Sequence, residues 1–219
     1  MLLFPKLTQL DLTGPHEVLA RIPGARVELV AKTREPAVSE TGLAIVPTAT
    51  FADVTAADAI FVPGGVGQIA AIADDETLAW VRSIGESAAW VTSTCTGALL
   101  LGAAGLLRGY RAATHWAYLE LLPLVGATPV DERVVIDRNR ITSGGVTAGI
   151  DSALAIAAAV AGPAVAEAIA LHIEYDPQPK YAGHPRNAAP ELVAKTRERL
   201  ADRFEERRAQ LSAIARRWG

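Results

Sequence analysis

The chain holds a single cysteine in 219 residues. That scarcity excludes an intramolecular disulfide and an all-cysteine metal site, and it fits the reducing cytoplasm, where we expect the protein to reside. Excess charge is missing too: a formal net charge of -3 gives no electrostatic reason to expect nucleic acid or an acidic membrane as partner. The start, Met1-Leu2-Leu3-Phe4-Pro5-Lys6, lacks the basic region and long apolar core of a signal peptide, so no export is expected. Nor is there an unbroken membrane span. The most apolar region, Ala153 to Leu171, is alanine-rich, is broken at Gly162-Pro163 and carries Glu167, which predicts two buried helices meeting at the break. No His/Asp/Glu cluster has metal-ligand spacing, so no metal is expected; no other cofactor is expected either. Internal repeats and low-complexity tracts are absent as well.

What is present is enough apolar material, 50% of residues, for one substantial core, and a single domain over 1–219 is expected. Leu2 to Phe4 is a very short apolar run before Pro5, where a first strand of about five or six residues would normally stand; a clipped first strand, as from a late start, is the expectation. Thr8 to Pro15 reads as a turn carrying Asp11, with Thr13 capping a helix through His16 to Leu19. Arg26 to Ala31 alternates as a strand and Leu43 to Val46 as a short one. Ala59-Ile60-Phe61-Val62 is a continuous apolar run of the central parallel kind and ends in Pro63-Gly64-Gly65. Asp74 or Asp75 begins a helix through Trp80 and Ile84.

Further on, Arg111 to Thr114 predicts a short strand leading to His115, and Leu119 to Leu124 a helix. Val134 to Asp137 and Arg140 to Ser143, separated by two residues, predict a hairpin. Four prolines rule out regular structure in a connection over 176–190. The last segment, 191–218, places Leu200, Phe204, Leu211, Ile214 and Trp218 at helical spacing. It predicts an amphipathic helix packed on the chain's own core or on a second subunit, with Glu205 and Glu206 offsetting Arg207 and Arg208. The alternation of strands and helices argues for an α/β sandwich around a mostly parallel sheet.

The chemistry concentrates at Ala88-Ala89-Trp90-Val91-Thr92-Ser93-Thr94-Cys95-Thr96-Gly97-Ala98-Leu99-Leu100-Leu101, a buried strand running straight into a helix with the one cysteine at the junction. A lone cysteine is ordinarily a buried packing residue. Its place at a strand-to-helix turn instead marks a nucleophile elbow, where the helix N-terminus favours thiolate. If the sheet is parallel, the loops with Asp11, Gly64-Gly65 and Cys95 share one edge. The amides of Gly65 and Thr96 would then stabilise negative charge on a substrate attacked by Cys95. Asp11, beside a thiolate, would be driven toward its protonated form and become a proton donor. His115 either approaches Cys95 or fixes its own loop, and His172 reads as a core or interface residue.

Pro63-Gly64-Gly65 after a strand, the Cys95 elbow and His115 together resemble the ThiJ/PfpI superfamily. Within it, Thr8-Gln9-Leu10-Asp11-Leu12-Thr13-Gly14-Pro15, Thr94-Cys95-Thr96-Gly97 and Thr114-His115-Trp116 are similar to the isonitrile (isocyanide) hydratases. The resemblance implies a flavodoxin-like, class I glutamine amidotransferase-like three-layer sandwich and a homodimer. It also implies hydration of a small-molecule isocyanide to an N-substituted formamide through a thioimidate. It assigns Cys95 as nucleophile, Asp11 as acid or base, and the Gly65 and Thr96 amides to the polar pocket. Thr96 stands where the PfpI-type proteases have histidine, so a protease triad is not expected. Glyoxalase-like members usually have glutamate at the position of Asp11. Sensor domains of AraC-type regulators share part of the pattern but normally continue into a helix-turn-helix region, which is not expected here. The substituent pocket is expected to draw on Val146 to Ile150 and the Trp116 region.

Overall fold

The computed structural model describes residues 1–217. In chain order it forms α1 (Gln9–Leu19), β1 (Val30–Ala31), β2 (Ala37–Val38), β3 (Ala44–Ile45), β4 (Ala49–Thr50), β5 (Ala59–Val62), α2 (Gln68–Ala73), α3 (Asp75–Ser87) and β6 (Trp90–Thr94). It continues with α4 (Gly97–Ala103), β7 (Arg111–Ala112), a 3-10 helix (Trp116–Val125), β8 (Thr128–Pro129), β9 (Val134–Asp137) and β10 (Arg140–Ser143). Three helices close the chain: α5 (Ala148–Ala161), α6 (Pro163–His172) and α7 (Pro190–Arg217).

The sheet is built in the order β5-β6-β10-β9, parallel except for the β9–β10 hairpin. The N-terminal residues extend it. Leu2 donates its amide to the Phe61 carbonyl at 2.9 Å and bridges in parallel to Val30, which joins β1 and β4 to the same edge. The expected first strand is therefore reduced to one bridging residue, and only Val30–Ala31 of the expected 26–31 strand is paired. Successive residues of β5 point to opposite faces. Ile60 and Val62 enter a core with Ile72, Val81, Leu99 to Leu101, Leu121 and Leu211, whereas Phe61 enters a second core with Val18, Ile141, Ala153 and Ile156. Helices thus cover both faces, and the three-layer, flavodoxin-like sandwich follows.

Local signals were overridden at three places. The stretch Thr8–Pro15 is mostly helix, since α1 begins at Gln9 and carries Pro15 inside it. Pro15 removes one intrahelical donor, but packing offsets this: Gly14 lies against Ile150 and Pro15 against Gly149 of α5. Thr13 accordingly is no cap; its hydroxyl donates to the Gln9 carbonyl within the helix. The alanine-rich pair does break at Gly162 (φ 94°), but α6 packs on α5 from outside, burying only Ile169 and leaving Leu171 84% exposed. His172 is exposed with it rather than in a core. The 116–125 segment is 3-10 rather than α-helical, with Pro123 inside. Trp218 lies outside the described residues. No helix among them is long and apolar enough to cross a membrane.

The approach of α4 to β5 depends on one missing side chain. A Cβ on Gly97 would stand 2.0 Å from the Val62 carbonyl oxygen and 2.8 Å from that of Pro63, and both are backbone atoms that cannot step aside. Gly97→Ala is expected to destabilise the protein by roughly 1–3 kcal/mol, lowering Tm by about 2–10 °C. Gly183→Ala, where a Cβ meets nothing within 4 Å, should leave Tm unchanged in the same calorimetric comparison.

Candidate active site

Cys95 follows the last residue of β6 and adopts φ 57°, a left-handed conformation that costs a non-glycine residue about 1–2 kcal/mol. Neighbouring strands hold it there. Its amide donates to the carbonyls of Ser143 at 3.1 Å and Gly144 at 3.0 Å, while its own carbonyl accepts from the Thr114 hydroxyl at 2.8 Å. Beneath it, Thr94 and Ser143 share a hydroxyl hydrogen bond of 2.9 Å. The sulfur is therefore aimed by the sheet, and the residue is 5% exposed.

Asp11 reaches the sulfur from the first turn of α1 rather than from a loop, and it is completely buried. Its Oδ2 accepts from the Gly64 amide at 3.0 Å, and its Oδ1 has no conventional hydrogen bond. The carboxyl and the Cys95 thiol lie close enough to couple. Burial pushes Asp11 up from 3.8 to about 7, against the opposing pull of the Gly64 amide and the thiol. Burial also pushes the Cys95 thiol well above its ordinary value, and the Asp11 charge adds to the rise.

This corrects the expectation of a resting thiolate. The Thr96 amide does face the sulfur and favours its ionised form, but desolvation and the adjacent carboxyl outweigh it. Burial thus holds the thiol toward its protonated form, beside a carboxyl raised to about 7. A second correction concerns Gly65. Its amide donates to the Thr96 hydroxyl at 3.1 Å, so it braces the elbow instead of offering a free donor, and of the two expected amides only that of Thr96 faces the sulfur. Gly64 is required for the fit, since a Cβ there would lie 2.6 Å from the Thr96 nitrogen and 2.9 Å from Asp11 Oδ2.

Residues 1–159, a span that includes Asp11, the glycine turn and the elbow, match the DJ-1/PfpI family. The chain belongs to this family. Within it, the chain is 50% identical over 201 residues to the isonitrile hydratase of Pseudomonas putida, covering 91% of this chain and 88% of that one. The crystal structure of a ThiJ/PfpI family protein from Pseudomonas syringae superposes with a TM-score of 0.94 at 43% identity, over 96% of this chain and 88% of that chain. A DJ-1 superfamily protein from Salmonella typhimurium, solved as a cysteine-to-alanine mutant, gives a TM-score of 0.72 at 27% identity over 81% of this chain and 97% of its own.

In this DJ-1/PfpI protein His115 caps the start of the 3-10 helix. Burial, with the Arg207 charge adding to it, lowers it to about 4. The neutral ring accepts the Ala117 amide at Nδ1 and lies 5.6 Å from the Trp116 ring and 5.5 Å from that of Tyr118. It fixes its loop. One neighbour of the site escaped the sequence reading entirely: Arg207 of α7, expected on a solvated face, is 2% exposed and bonds the Gly65 carbonyl at 3.0 Å. Among the described residues no group of three or more His, Cys, Asp or Glu is placed to hold a metal. Surface hollows of about 230 and 150 Å³ along α7 touch neither Cys95 nor Asp11.

The buried Asp11 carboxyl makes stability depend on pH. Its pKa is about 7 in the folded chain against 3.8 in the ordinary one, so folding favours its protonated form. The contribution is greatest below pH 4 and is lost as pH rises through 7. Above that, the buried carboxylate costs up to about 4 kcal/mol. Asp11→Asn, of the same shape and uncharged, should therefore raise Tm at pH 8 and raise it much less at pH 4.5, as read by thermal unfolding at both pH values.

Proposed function

We propose that this protein hydrates isocyanides, converting R–N≡C and water to the formamide R–NH–CHO. The observation that carries the proposal is the buried pair itself: the Cys95 elbow beside a fully buried Asp11 carboxyl held by the Gly64 amide, with burial pushing the thiol up and the carboxyl to about 7. The terminal carbon of an isocyanide takes both a nucleophile and a proton, so a thiol and a carboxyl that pass one proton between them match it. The linear, narrow head of such a substrate also suits a nucleophile whose residue is only 5% exposed. The 50% identity to a protein named isonitrile hydratase supports the same reading.

In the first half of the reaction, the Asp11 carboxylate takes the thiol proton as sulfur attacks the terminal carbon. It then returns the proton to that carbon. The S–H bond breaks, S–C and C–H bonds form, and Cys95 carries the thioimidate R–N=CH–S. The Thr96 amide, which faces the sulfur, stabilises the negative charge that gathers there between the two proton movements. In the second half, Asp11 removes a proton from water as it adds to the thioimidate carbon and delivers it to nitrogen. The C–S bond then breaks as the carbonyl forms, and the hydroxyl proton returns to sulfur through Asp11. No electrons are gained or lost, and no cofactor enters. An acid near neutrality gives and takes protons with little penalty in either direction, which is what a repeated shuttle needs.

The test is direct turnover. Purified protein mixed with several alkyl isocyanides should produce the matching formamides, followed by NMR, with losses of at least about 10³-fold in Cys95→Ala and in Asp11→Asn. Methylglyoxal, the substrate of the glyoxalase-like alternative, should not be consumed. Absence of formamide from every isocyanide, or full activity in Cys95→Ala, overturns the proposal.

A further inference from the structure

α7 is a polar helix that buries three side chains among the described residues, Leu211, Ile214 and Arg207. The Arg207 guanidinium donates through Nε to Gln68 Oε1 at 2.7 Å, through Nη2 to the Gly65 carbonyl at 3.0 Å and through Nη1 to the Arg203 carbonyl at 3.4 Å. It also lies 4.4 Å over the Tyr118 ring. Every one of these partners is neutral. The ion pairs of α7 among the described residues use Arg197, Arg208 and Arg217, not Arg207. A guanidinium taken out of water without an ion-paired carboxylate is destabilised, so a compensating anion is expected nearby.

The hydrogen bonds lead to one. The Gly65 carbonyl that accepts from Arg207 belongs to the residue whose amide orients the Thr96 hydroxyl, and the preceding amide, that of Gly64, holds Asp11. We propose that Arg207 is a positioning residue for the Cys95–Asp11 pair. From a point 142 residues further along the chain it holds the Gly64–Gly65 turn against Thr96 and Asp11. Its unpaired charge balances the single negative charge of the pair once a proton has left. Arg207 lies beyond the span 1–159 that defines the family match, so the family pattern does not contain it. The inference rests on Cys95 and Asp11 being the reacting groups.

The field at the pair has few sources. Asp11, Arg207 and Tyr118 couple to the thiol, and Glu40 faces Asp11 from the loop after β2. Arg203, Glu206 and Tyr118 act on Arg207. Of these, Arg207 pulls the thiol toward ionisation, against burial. Gln68 provides a second handle on the same charge. It is fully buried, its Oε1 already faces the guanidinium, and its Nε2 has no partner.

The test measures alkylation of Cys95 by iodoacetamide across pH, which needs no isocyanide and so stands or falls separately from the hydration proposal. Arg207→Met should slow the reaction about tenfold at pH 8, equivalent to raising the thiol by about one pH unit. Gln68→Glu, which pairs the guanidinium with a carboxylate without removing it, should slow it in the same direction. Arg207→Lys, which keeps the charge, should stay within about threefold of wild type. A purely mechanical clamp makes the opposite prediction: loosening the turn exposes the sulfur and speeds alkylation in Arg207→Met, while Gln68→Glu changes nothing. That pattern overturns the proposal. If Arg207→Met does not fold, Gln68→Glu and Arg207→Lys decide the matter by the same criteria.

Discussion

Cys95 and Asp11 are two acids enclosed in one nearly dry space, and neither can ionise without the proton finding a place close by. Burial works on both in the same direction, so the site at rest keeps its protons more tightly than water would. That shared constraint explains the surroundings. The Gly64 amide meets Asp11 on one oxygen, the Thr96 amide meets the sulfur, and the second Asp11 oxygen is left without a hydrogen bond. In the proposed reaction that oxygen is the one left to move a proton.

Holding such a pair has costs that the fold absorbs elsewhere. Cys95 is in a left-handed conformation that sheet hydrogen bonds from β10 and the Thr114 hydroxyl maintain. The glycine turn runs so close to its neighbours that side chains at Gly64 and Gly65 have no room, the latter position also having φ 126°. A cation, Arg207, is buried behind it with no ion pair among the described residues. These are the departures from local preference that accumulate around reacting groups, and the two apolar cores on either face of the sheet supply the stability that offsets them.

The parts legible in the sequence were those decided by local pattern. The runs at Ala59–Val62, Val134–Asp137 and Arg140–Ser143 form strands with the predicted bounds, and the Gly162-Pro163 break falls where it should. The cysteine at the junction of β6 and α4 was likewise readable, because small residues between a buried strand and an apolar helix leave few alternatives. What was not readable depended on contacts across the fold. α1 continues through Pro15 because α5 packs on Gly14 and Pro15. The thiol is pushed toward its protonated form by burial, which no spacing encodes. Gly65 turns its amide to Thr96 rather than to open space. Arg207 sits among Glu205, Glu206 and Arg208 and looks like one more surface charge; only the tertiary structure brings it against Gly65 and Gln68.

The central claim is that sulfur and proton are delivered to one carbon by this pair, and a covalent state on Cys95 is its most direct consequence. Acid quenching shortly after mixing with excess alkyl isocyanide, followed by intact-protein and peptide mass spectrometry, measures it. The account predicts added mass equal to one isocyanide, located on the Cys95 peptide and absent from Cys95→Ala. Formamide production with no adduct at any quench time, or with the added mass on another residue, would contradict it.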